Sequence, residues 1–201
     1  MASTRDRLKN ETRSIHERLH GHASFKSLIN KDITQVGYAL LLERLLGYHL
    51  GLESAFALHT SEQADTKRLA SPRSDSLRED LLAMGQTEAQ IDHAPAMPPP
   101  DFIVSDAALL GCLYVREGAM IGGRSLARNL DHLCKATNVG RSFFQGKPSD
   151  PQIWKSLCVA LNEVENRSDQ DQIIAAAMET FALFETWMDC MEPISLLSVK
   201  R

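Results

Sequence analysis

Two histidines four residues apart, His16 and His20, follow two cations, Lys9 and Arg13, on one short segment. Neutral imidazole is a good ligand for a transition metal near neutral pH. In a helix these four residues, spaced by three or four, share a face. A histidine with cations one and two turns before it suits a ligand that has a metal at its centre and carboxylates at one edge. A second cluster is Gly118, Gly122 and Gly123, inside an apolar segment running from Ile103 to about Leu133. Each glycine costs a helix about 1 kcal/mol relative to alanine. No proline and no Asn-Gly or Ser-Gly turn accompanies them. What glycine offers is bare backbone, in a helix that bends and lies against something flat and large. The competing reading is helix packing through the small pair Gly118 and Gly122.

These groups need elements to hold them. Leu8, Thr12, Ile15 and Leu19 recur at i, i+4, i+7 and i+11, the stripe of an amphipathic helix over residues 4–20, with Ser3 or Thr4 as its cap. A short helix is expected near 24–29, and a third from Thr34, its N-cap, to about His59. The third carries Tyr38, Leu41, Leu42, Leu45, Leu46, His49, Leu52 and Phe56 on its stripe. Residues 60–75 are polar. A helix near Ser74–Met84 ends at Gly85, a candidate C-cap. Residues 86–100 read as a linker closing in Pro98-Pro99-Pro100. Beyond the glycine helix come helices near Pro151–Asn166 and Asp169–Met188, closed by Pro193. Strand signals are almost absent, so the expectation is all-α: one helical bundle over residues 1–201, with the ligand between the first helix and the glycine helix.

Composition excludes several classes. The chain has 201 residues, 43% of them hydrophobic, with a formal net charge of −4. That balance argues against a nucleic-acid or other polyanion binder. The N-terminus has no apolar signal core, and no apolar run approaches the ~20 residues of a membrane span. A soluble, cytoplasmic protein is expected. Cys112, Cys134, Cys158 and Cys190 form no Cys-x-x-Cys pair and read as buried free thiols.

Leu8-Lys9-Asn10-Glu11-Thr12-Arg13-Ser14-Ile15-His16 and Tyr114-Val115-Arg116-Glu117-Gly118-Ala119-Met120-Ile121-Gly122-Gly123 together resemble the two signatures of the haem oxygenase family, especially its bacterial members. Their order, and a separation of about 100 residues, match as well. The resemblance implies that His16 is the proximal ligand of haem iron and that Lys9 and Arg13 face the haem propionates. It implies that Gly118 and Gly122 pass over the haem while Gly123 adds slack, and that Phe144, with Phe143, helps wall the pocket. Lys155 resembles a further propionate-side cation, whereas a basic residue that some members carry four positions later is Val159 here. Many members carry Asp or Ser after the first glycine. Ala119 stands there in this chain, leaving Arg124, Arg128 or Asp131 as candidates for proton delivery through water.

The implied activity is cleavage of haem, both substrate and cofactor, to biliverdin, carbon monoxide and ferrous iron. No strand followed by Gly-x-Gly-x-x-Gly is present for a flavin or nicotinamide. Electrons are therefore expected from a ferredoxin or an NAD(P)H-dependent reductase, with a biliverdin-accepting photoreceptor as one destination of the product. Two alternatives stay open. One is a haem carrier or sensor on the same fold, suggested by Ala119. The other is a zinc hydrolase, because His16-Glu17-Arg18-Leu19-His20 also reads His-Glu-x-x-His. Its third ligand is missing from the usual offsets, and Glu43 is the candidate.

Overall fold

In a computed structural model, which describes residues 3–59, 69, 72–134 and 139–190, the first helix is two. α1 spans Thr4–Glu11 and α2 spans Arg13–His20. Thr12 lies at the joint, where its hydroxyl donates to Leu8 O at 2.7 Å. Such back-bonding competes with the helical ladder and bends it. His16 N donates to Thr12 O at 3.0 Å, which resumes the ladder at once. Ser3 is the cap, its hydroxyl accepting from Asp6 N, and Thr4 is buried inside the helix.

α3 is Ala23–Asn30, and α4 is Gln35–His59, capped as expected by the Thr34 hydroxyl, which accepts from Gly37 N. α5 is Ser74–Ala83. Gly85 follows it with φ +95°, and Gln86 N donates to Leu81 O to close the end. The expected linker of residues 86–100 holds a short helix, α6, Glu88–Asp92. Thr87 and Gln90 form its capping box. The glycine helix, α7, runs unbroken over Asp106–Ala127 from a Ser105 cap, stopping short of the expected Leu133. A 3₁₀ turn, Arg128–Leu130, and α8, Asp131–Cys134, follow. α9 is a single turn, Ser142–Gln145, that the sequence reading did not anticipate. α10 is Asp150–Asn162 and α11 is Arg167–Asp189. Every element among the described residues is helical. The Pro193 closure and most of the polar stretch 60–75 lie outside the described residues.

The core forms around α4. Tyr38, Leu41, Leu42, Leu45 and Leu46 join Leu77, Leu81, Phe143 and Phe144 in one buried group. Tyr48, Leu52 and Phe56, further along α4, join Leu8, Ile15, Leu113, Leu157, Ile173 and Phe181 in another. Each such side chain, fully buried, contributes about 1.5–3 kcal/mol. Two close approaches set the frame. At Gly111, a Cβ would stand 2.2 Å from Ile173 O, so α7 and α11 meet backbone to backbone. At Gly47, a Cβ would stand 2.2 Å from Pro95 O, and Met97 N donates to Gly47 O. The proline-rich stretch is thus a strap laid across α4.

A buried ionic network anchors α7 from within. Arg73 bridges Glu117 and Asp150, its Nη1 donating to Asp150 Oδ1 at 2.7 Å, and all three side chains are at most 2% exposed. Arg116 donates to Glu117 Oε1 and to Leu69 O, and its guanidinium lies 4.9 Å from the Phe56 ring centroid. Glu53 in turn accepts from Arg73 N and Ser74 N, holding the start of α5. Two of the four thiols differ from the expected burial. Cys112 and Cys134 are buried, Cys158 is partly buried and Cys190 is exposed. Burial pushes the Cys112 thiol up to about 11, which keeps it unreactive. No helix of the described residues is long and apolar enough to cross a membrane.

Candidate functional site

A cavity of about 800 Å³ opens between α2, α4, α7, α9 and α11. Its size falls within the usual range for small-molecule sites. Lys9 on α1 and Arg13, His16, Glu17 and His20 on α2 supply one side of its lining. Gly118, Ala119, Gly122 and Gly123 on α7 supply another, and Leu45, Tyr48 and His49 come from α4. Phe143, Phe144, Trp154, Phe181 and Phe184 add aromatic surface.

α2 turns its apolar stripe inward, with Ile15 buried, and this places His16 on the cavity side and exposed to it. The His16 ring is edge-on to Phe181, at 6.1 Å between centroids, and to His20, at 4.5 Å. Partial burial and then the neighbouring His20 lower its pKa, against an opposing pull from Glu17. The imidazole is therefore neutral at pH 7, the form that binds a metal. Lys9 and Arg13 are exposed at the same rim.

The glycines divide cleanly by surroundings. A Cβ built on Gly122 would meet nothing within 4 Å. At Gly118 it would rest at ordinary contact distance, 3.5 Å from the Trp154 ring, and at Gly123 3.7 Å from Phe144. Close packing is thus the reason for glycine at 47 and 111 but not at 122. At 122 the bare backbone borders open volume, as a flat ligand against the helix would require.

His49 was read as part of the core stripe, and it is buried, but it also lines the cavity. Its Nδ1 has no hydrogen-bond partner. Burial, and then the nearby Arg116 and Arg73 guanidiniums, hold its pKa well below the ordinary value, so it is neutral. Tyr48 and Phe143 fix the ring by edge-to-face contacts at 5.5 and 5.2 Å. Arg116, equally buried, lines the same space. A histidine within an otherwise apolar stripe was the sequence signal for this group.

Five expected residues stand elsewhere. Arg124, Arg128 and Asp131 line a separate cleft of about 230 Å³ beside Arg141, and are absent from the main cavity. Lys155 is exposed, and its neighbour Trp154 rather than Lys155 lines the cavity. Glu43 is held by Gln86 and lies off the cavity, so it supplies no third ligand to His16 and His20. Among the described residues no group of three His, Cys, Asp or Glu side chains is placed to hold a metal.

The Phe143–Phe144 wall hangs on Asp80, a fully buried carboxylate that accepts from Ser142 N at 2.7 Å and Phe143 N at 2.9 Å. Burial raises its pKa to about 6, with the two N–H groups opposing. The folded protein therefore holds this proton more readily than the unfolded chain does. Acidification from pH 7.5 to 5 adds about 1 kcal/mol of stability through this group. Urea unfolding at both pH values checks it: the gain relative to pH 7.5 is present in wild type and missing from Asp80→Asn. Equal pH dependence in the two proteins excludes Asp80 as the titrating group.

The fold defines an all-α protein with a cavity of small-molecule size between a histidine-bearing helix and a glycine-bearing one. The family profile described as "Heme oxygenase" matches residues 2–190, and the chain belongs to that family. A curated relative, "Heme oxygenase" of Xanthomonas campestris pv. campestris (strain 8004), is 35% identical over 115 residues, which cover 57% of this chain. The chain spans 66% of the length of that relative. Among solved structures, the NO- and CO-bound heme oxygenase of Neisseria meningitidis superposes with a TM-score of 0.73 at 17% identity, covering 100% of this chain and 96% of that one. The heme oxygenase of Leptospira interrogans gives 0.74 at 18% identity, covering 94% and 100%. Heme oxygenase-1 of Synechocystis sp. PCC6803, in complex with heme, gives 0.74 at 15% identity, covering 95% and 93%. At these identities the structural likeness establishes the fold.

Proposed function

We propose that this chain is a haem oxygenase that converts haem to biliverdin, carbon monoxide and ferrous iron. The observation that carries the reading is the open volume over Gly122 in the cavity that His16 lines. His16 holds the iron. Lys9 and Arg13 pair with the propionates at the rim, and Gly118 and Gly122 present bare backbone to the macrocycle. Bound haem supplies oxygen binding and activation, with electrons from an external ferredoxin or NAD(P)H-dependent reductase. The aromatic walls give the macrocycle apolar surface to lie against. Ala119 offers no hydrogen-bonding side chain, and His49 Nδ1, buried in the cavity lining without a hydrogen-bond partner, is the group we assign to ordering water there. The protein works in the cytoplasm, as an iron-release enzyme or as a source of biliverdin for a photoreceptor.

Haemin added to the purified protein with ascorbate in air tests the reading by optical spectroscopy. Loss of the haem bands with growth of the biliverdin absorption is expected. Stable bands from bound haem would favour a haem carrier or sensor, the reading that Ala119 supports. Absence of a bound-haem spectrum would overturn both.

Lys9 and Arg13 set ring orientation more than affinity. Each exposed charge pair is worth at most about 1 kcal/mol, roughly a fivefold change in binding. A ring turned in its plane presents a different meso carbon to the same oxygen. The double variant Lys9→Ala with Arg13→Ala is therefore expected to loosen haem modestly and to alter the mixture of biliverdin isomers. Chromatography of products made with one electron donor measures this. An unchanged isomer ratio with unchanged affinity places both side chains in solvent.

A further inference from the structure

His20 is unexplained by packing or by the proposed reaction. It is exposed, lines the cavity, and sets its ring against His16 at 4.5 Å between centroids. Three other histidines near the surface, His22, His93 and His132, are committed to protein partners. His22 Nε2 pairs with Asp189 at 2.9 Å, His93 Nδ1 contacts Ala89 O, and His132 contacts Asn129 O and Ile33 O. Imidazoles at i and i+4 on one helix face make a two-point chelate, and imidazole suits iron, zinc, copper and nickel. The two rings now meet at 80°, and converging their lone pairs requires side-chain rotation.

We propose that His16 and His20 form a divalent-metal site in the haem-free protein, and that this site holds ferrous iron on its way out. The second clause rests on the haem oxygenase reading; the first does not. Ferrous iron freed from the macrocycle keeps its bond to His16, gains one from His20, and completes its shell with water. The change is ligand exchange: the iron stays ferrous and no electron moves. With no third protein ligand in place, the site is weak and labile, which suits transit rather than storage.

Zinc(II), titrated into haem-free protein by calorimetry at pH 7.5, tests the site. One saturable site is expected in wild type and in His22→Ala. Affinity should fall at least about tenfold in His16→Ala and in His20→Ala, since even the loss of a residue that merely supports a ligand costs that much. Haemin should exclude zinc by occupying His16. Unchanged affinity in His20→Ala, no saturable binding in wild type, or full zinc binding beside bound haem overturns the site. Transit is tested separately by trapping ferrous iron with a coloured chelator after single turnover. Release should be several-fold faster in His20→Ala, and an equal rate overturns the transit role. If haemin does not bind the wild type at all, the haem oxygenase reading fails while the zinc titration still decides the site.

Discussion

Replacing His16 by alanine is expected to abolish the histidine-ligated ferric spectrum, and added imidazole is expected to restore part of it. His16 lines the cavity from α2, and its lowered pKa leaves the ring neutral at pH 7. The change should leave the helix intact. Ile15 beside it carries the burial, at 4% exposure, and alanine is the better helix former. Circular dichroism should therefore be unchanged while haem affinity falls at least about tenfold, the loss of one good ligand interaction of about 1.4 kcal/mol or more. The truncated side chain leaves room at the wall for free imidazole. An unaltered ferric spectrum in the variant would remove His16 from the iron. Loss of ligation in His20→Ala, with His16→Ala unaffected, would move the role one turn along α2.

Gly122→Leu is expected to separate stability from binding in opposite directions. A new side chain at 122 meets no neighbour within 4 Å, so it enters the cavity. The helix itself gains, because leucine in place of an interior glycine is favourable by roughly 0.5–1 kcal/mol. The melting temperature should therefore hold or rise while haem binding or turnover is lost. Gly111→Ala should do the reverse: its Cβ would stand 2.2 Å from Ile173 O, so the variant should be clearly less stable. Thermal melts and haemin titrations on both proteins read out the contrast. Normal haem degradation by Gly122→Leu would reduce the glycines to a packing device.

The helices were legible because apolar periodicity is local information. Boundaries failed where a single side chain decides them. Thr12 bends the first helix through one hydroxyl bond to Leu8 O, and nothing in the stripe of Leu8, Thr12, Ile15 and Leu19 announces that. α6 hid beside a proline run although its capping pair, Thr87 and Gln90, stood in the sequence. His16 and the glycines were legible because their spacing is fixed by one helix each. Arg73, Glu117 and Asp150 were not, since they meet across 44 and 77 residues of chain. Pairings at that range depend on how the helices pack. His49 sat in plain view within an apolar stripe, where a histidine and a core residue look alike.

The two sides of the cavity are fastened by different forces, and this gives the molecule a soft side. α7 is locked by the backbone seam at Gly111 and by buried charges, whose rupture costs about 3–5 kcal/mol. Beyond the burial of Ile15, α2 is tied to α11 by Arg18 with Glu185 and, just past its end, by His22 with Asp189, pairs with at least one exposed side chain. Such exposed ties are weak and weaken further as salt rises. Breathing of the pocket therefore belongs to α2, the helix that carries the two histidines. Amide protons of α2 should exchange with solvent well before those of α7, and haemin should depart faster at high ionic strength. Salt thus acts on the tempo of exchange through ion pairs that touch nothing in the pocket itself.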